Sequence, residues 1–157
     1  MEQSNKNNSL IRFKENFGVA GMFLFAVIAV ISYLKADDFL GLVNMYSIMT
    51  QDEIQRVLFS IITFEMVSSI TLALLGIIAV YFFVKLKREA LVFSFAFLIL
   101  QPVVDAIIEI GYSGQVVPVI GALIGGALIF WLFWHFLGNK TSNFLKVKYN
   151  KTIWQIQ

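Results

Sequence analysis

The chain has 157 residues, of which 59% are hydrophobic and 14% charged, against about 45–50% and about 25% in soluble domains. The apolar residues fall in long uncharged blocks that a soluble core of this size has no room to bury, so the composition excludes a soluble globular domain and points to a bilayer. A net charge of +2 spread along the chain is too small for a nucleic-acid footprint, and the lack of cysteine removes disulfides, thiolate metal sites and a lipoprotein anchor.

In chain order, residues 1–16 read as a cytoplasmic arm whose first part, Met1 to Ser9, is rich in Asn, Gln and Ser and expected to be flexible. Residues 17–34 carry no charge and form the first predicted span. Eighteen uncharged residues exceed the usual h-region of about 7 to 15, and no A-x-A site follows, so an uncleaved helix is the reading over a signal peptide. Phe39 to Met49 is apolar but too short to span, and is expected along the outer interface or folded over the helix ends, as a lid or as a surface for an external ligand. Thr50-Gln-Asp-Glu53 has the form of a capping box, which starts the second helix near Gln51. Its span runs over 57–84 and contains Glu65. The third runs over 90–110 with Asp105 and Glu109, Gly111-Tyr-Ser-Gly114 reads as a turn, and the fourth runs over 116–137. Residues 138–157 form a basic tail. The predicted fold is therefore all-α, an integral membrane four-helix bundle.

Cationic loops are retained in the cytoplasm. Lys6, Arg12 and Lys14, then Lys85, Lys87 and Arg88, then Lys140, Lys146, Lys148 and Lys151 all fall on one face. The other face has Lys35 and Arg56 among Asp37, Asp38, Asp52, Glu53 and Glu109. Both termini are expected inside, with an acidic outer face.

Ionisable groups inside a bilayer are costly, about 2.5–3.5 kcal/mol on the translocon scale, and attract functional suspicion. Glu65 and Asp105 are placed roughly 12 Å and 7 Å inside the outer helix ends, where they could face one another across adjacent helices. Ser68 and Ser69 extend a polar stripe from Glu65, and Gln101 lies one turn from Asp105 beside Pro102. This cluster reads either as a proton or cation site, in which two carboxyls share a proton, or as interhelical hydrogen bonding. Gly111-Tyr-Ser-Gly114 also matches the nucleophile pattern of rhomboid proteases, but the single histidine, His135, lies 22 residues from Ser113 on the opposite side of the bilayer. No catalytic set, metal site or cofactor is expected.

Gly121-Ala-Leu-Ile-Gly125, followed by Gly126, is a G-x-x-x-G pattern for close helix packing, within the bundle or between protomers. Phe130 to Phe136 reads as an aromatic interface belt that includes His135. In the tail, Lys140, Lys146, Lys148, Lys151 and Trp154 are candidate contacts to anionic lipid, or to a soluble protein through an extended strand.

Phe64-Glu65, Tyr81-Phe82-Phe83-Val84-Lys85-Leu86-Lys87-Arg88, Phe97-Leu-Ile-Leu100 with Asp105, Gly121-Ala-Leu-Ile124 and Phe130-Trp131 through Phe136 carry a resemblance over residues 60–145. The chain resembles a bacterial family of small four-helix inner-membrane proteins catalogued as domain of unknown function 2569. It departs from that pattern over Gly138 to Phe144 and at Gly18-Val-Ala-Gly21. The resemblance implies a four-span fold of the bacterial inner membrane with cytoplasmic termini and no established activity. Together these readings lead to a non-enzymatic membrane subunit, an anchor or sensor that contacts membrane lipid, self-associates and docks a soluble cytoplasmic protein. The alternative is a proton- or cation-coupled carrier using Glu65 and Asp105.

Overall fold

A computed structural model describes the backbone of residues 2–48, 59–113 and 116–154, and the side chains of residues 11–48, 61–112, 116–145 and 147. Among the described residues the chain is all-helical: α1 (Glu2–Ile48), α2 (Phe59–Val84), α3 (Glu89–Ser113) and α4 (Val116–Trp154). Each contains a stretch long and apolar enough to cross a membrane. A helix satisfies all its interior backbone groups within itself, which is what a segment surrounded by hydrocarbon requires.

α1 is interrupted at Gly18, whose φ of 71° and ψ of −175° are not helical. Glycine occupies this region at little cost because it has no Cβ. The consequence is a fold-back. On an unbroken helix Phe13 and Phe25 would be about 18 Å apart, yet their ring centroids lie 5.9 Å apart, and Phe13 also stacks on Phe83 at 5.8 Å. Phe17 and Phe83, both fully buried, meet at 4.9 Å. The break frees the carbonyl of Asn16, and the Lys140 ammonium on α4 donates to it at 3.5 Å. Residues 2–9, expected to be flexible, are thus helical, and Phe13, further along the same helical segment, docks on the body of the protein.

Beyond Gly18, α1 continues to Ile48 and does not end near 34. The charges at Lys35, Asp37 and Asp38 were expected to close the span, but none of these residues breaks a helix. The apolar stretch from Phe39 is therefore a continuation of α1, not a separate piece lying across the helix ends. The capping box at 50–53 lies outside the described residues.

The α2–α3 turn is closed by a Schellman arrangement. The Lys87 amide donates to the Phe82 carbonyl at 2.9 Å and the Leu86 amide to the Phe83 carbonyl at 3.0 Å. Leu86 takes the left-handed position (φ 55°), usually glycine's. Its side chain packs against the core, a contact glycine would lack.

Each helix packs on the next: α1 on α2, α2 on α3 and α3 on α4, while α1 and α4 touch only marginally. The set is therefore open between its first and last helices. Only 11% of the apolar stretch of α4 is buried, against 39% for α2, so α4 lies at the periphery. In lipid, helices associate through close van der Waals packing and not through hydrophobic burial. A close approach occurs where Gly76 of α2 faces Ser32 of α1, so that a Cβ at 76 would fall on the Ser32 hydroxyl. Two expectations at the helix ends are corrected. Gly111 to Ser113 belong to α3 and are not a turn, and residues 138–154 continue α4 as helix, which removes the extended-strand reading of the tail.

Candidate functional site

The polar residues singled out in the sequence do not form one cluster. They divide into two groups, both toward the acidic end of the helices.

The first group centres on a residue the sequence reading treated only as a loop cation. The Lys35 ammonium on α1 donates to Asp105 Oδ1 on α3 at 2.9 Å, and Gln101 Nε2 donates to Asp105 Oδ2 at 3.2 Å. Asp38, one turn beyond Lys35, places a carboxylate oxygen 3.6 Å from the same ammonium. The Lys35 side chain is 14% exposed, Asp105 34% and Asp38 53%. The cation is thus sheltered beneath two more exposed carboxylates. A lone cation on an otherwise acidic helix end was the available signal; what concealed it was the expectation that the first helix stops before it.

The second group is Glu65 and Tyr112. The Tyr112 hydroxyl donates to Glu65 Oε2 at 2.6 Å, joining α2 to α3. Glu65 and Asp105 are therefore each engaged by separate donors. Ser68 and Ser69 are buried, and the Ser68 hydroxyl donates back to the Glu65 carbonyl at 3.1 Å, away from the carboxylate. This back-bonding is a common solution for serine inside a helix.

The glycines also separate in role. A Cβ at Gly126 would collide with the Pro102 ring, so Gly126 allows α4 to seat on α3. Gly121 and Gly125 face open space. The ring of Pro102 fills the contact and leaves a groove on each side. One, of about 260 Å³, lies between Ile99 and Leu123. The other, of about 280 Å³, occupies the gap between α1 and α4; Ile31, Leu98, Ala122, Gly125 and Ile129 form its walls, and Gln101 and Asp105 supply its polar atoms.

At the other end, His135 stacks near Trp131 (5.9 Å) and edge-on to Phe136 (5.2 Å), exposed on α4. Phe95 anchors Trp134 and Phe130 at 5.1 and 5.6 Å. Of the tail residues, Lys140 holds the Asn16 carbonyl. The side chains of Lys146, Lys148, Lys151 and Trp154 lie outside the described ones. Among the described residues no group of three or more His, Asp or Glu could hold a metal ion.

The chain matches no protein-family model, no curated protein and no solved structure.

Proposed function

We propose that the protein is a non-enzymatic, multi-pass subunit of a bacterial inner membrane, with both termini cytoplasmic, that self-associates through α4 and presents its basic end to a soluble partner. The observation that carries the reading is the open space beside Gly121. Glycine within a helix is about 1 kcal/mol less favourable than alanine. In lipid that loss is offset where a second helix comes close enough to use the missing side chain. Gly126 has such a neighbour within the chain; Gly121 has none, and a second copy of α4 would supply it.

The docking half of the reading draws support from length. α4 has 39 residues, about 58 Å at 1.5 Å per residue, against a hydrocarbon thickness of about 30 Å. Its last part, with Lys146, Lys148 and Lys151, lies beyond the apolar stretch, which ends at Leu145. Orientation with this end in the cytoplasm follows from the distribution of Lys and Arg, and the resemblance over residues 60–145 agrees with it. A carrier that couples through Glu65 and Asp105 has less support, because their donors hold the two carboxylates in separate places.

The test is single-molecule photobleaching of the labelled full chain in nanodiscs or native membrane patches. Self-association in the wild type that is lost in Gly121→Leu supports the reading. A monomeric wild type, or a Gly121→Leu variant with unchanged stoichiometry, overturns it.

A further inference from the structure

The groove between α1 and α4 differs from an ordinary lipid-facing crevice in what its polar end presents. Its walls are aliphatic, Ile31 and Leu98 on one side and Ala122 and Ile129 on the other, and it opens sideways between helices that barely touch. Asp105 lines it. Each Asp105 oxygen accepts one hydrogen bond, from Lys35 or from Gln101. A carboxylate offers about four lone-pair sites, so acceptor capacity is left over. The charge balance points the same way: the single ammonium of Lys35 stands between the carboxylates of Asp38 and Asp105. One negative charge therefore remains, on the two more exposed partners, while the cation lies beneath them.

A ligand complementary to this groove has an apolar body and one positive charge carried by N–H donors. Its size is bounded by the volume of about 280 Å³, at the lower edge of small-molecule sites, about 300–1,000 Å³. That suits a compact ring system or short chain and is too small for a two-chain phospholipid. We propose that this groove is a binding site for a compact lipophilic amine that enters from the bilayer, its ammonium on Asp105 and its apolar body between Pro102 of α3 and the aliphatic walls. In a low-dielectric setting a charge-assisted hydrogen bond is roughly twice as strong as a neutral one, so the ammonium provides the selectivity and the walls provide the fit. Gly125 lines this groove, whereas Gly121, on which self-association is proposed, does not.

The experiment uses the full chain in phosphatidylcholine nanodiscs, with 2-naphthylmethylammonium as probe and 2-naphthylmethanol as its neutral counterpart, measured against empty nanodiscs by equilibrium dialysis. The amine is expected to bind saturably, one per chain, and the alcohol about tenfold more weakly or less, the size of one charge-assisted hydrogen bond. Asp105→Asn is expected to lose about tenfold for the amine and little for the alcohol. Ala122→Phe, which places a ring inside the groove while leaving the ion pair intact, is expected to abolish binding of both. Glu65→Gln leaves binding unchanged. Equal binding of amine and alcohol, wild-type amine binding in Ala122→Phe, or loss of the amine site on exchanging phosphatidylcholine for phosphatidylethanolamine would each overturn the proposal. Photobleaching of the same samples reports self-association separately, so failure of one proposal is visible without failure of the other.

Discussion

Lys35 and Asp105 are 70 residues apart in the chain, and their charged atoms lie 2.9 Å apart. This contact ties α1 to α3 across the open side of the fold, where helix packing is sparse. It sits at the acidic end, opposite the aromatic cluster of Phe13, Phe17, Phe25 and Phe83 that ties the same α1 to α2.

Removing one partner of this pair leaves the other charge sheltered with less compensation. Fully buried pairs lose about 3–5 kcal/mol on such a change and exposed ones about 0–1. With Asp105 at 34% exposure, Asp105→Ala is expected to destabilise by about 1–3 kcal/mol. The double variant Lys35→Met with Asp105→Leu should recover much of that loss. Equilibrium unfolding in mixed micelles, run as a double-mutant cycle, measures both.

Gly76→Val introduces a side chain where the Ser32 hydroxyl already sits. Overpacking of this kind costs about 1–3 kcal/mol. Ser32→Gly in the same chain is expected to restore part of the stability, because it removes the atoms met by the new Cβ. Thermal unfolding of the two single variants and the double variant is the check.

Two glycines of α4, Gly121 and Gly126, should respond differently to the same substitution. Gly126→Leu drives a side chain into Pro102 and should lower the stability of the isolated chain, whereas Gly121→Leu enters open space and should leave it unchanged within about 0.5 kcal/mol. Unfolding measured at high detergent-to-protein ratio isolates this effect from assembly.

Phe83→Ala removes a fully buried ring that contacts Phe13, Phe17 and Phe25. A loss of about 3–5 kcal/mol is expected, as for other buried aromatic truncations. Release of the segment before Gly18 should accompany it, read as faster hydrogen exchange over residues 11–17.

Glu65→Gln retains an oxygen that can accept from Tyr112, so its effect on stability is expected below about 1 kcal/mol, and Tyr112→Phe should cost about as little. Either one losing several kcal/mol in the unfolding assay would show that this hydrogen bond does more than join two helix ends.

Much of the architecture was legible in the residues themselves. Four long apolar stretches, two of them uncharged and two carrying only carboxyl residues, have few alternatives to membrane-crossing helices, because hydrocarbon leaves backbone amides no other partner. Composition inside those stretches decides this locally, and no long-range contact is needed. The polar residues Glu65, Gln101 and Asp105 stood out for the same reason, being costly in lipid wherever they sit.

What only the tertiary structure decided is which residue meets which. The sequence places Glu65 and Asp105 at similar depth, but depth leaves the rotation of each helix about its axis undetermined. Packing sets that rotation: Gly76 against Ser32 and Gly126 against Pro102 turn the helices so that Asp105 meets Lys35 while Glu65 meets Tyr112. The same holds for Gly18. A glycine in an apolar run is compatible with a straight helix, and the break is selected because folding back lets Phe13 and Phe17 pack on Phe83. The groove beside Asp105 exists because α1 and α4 remain apart. That spacing belongs to the assembled helices and to no single stretch of the chain.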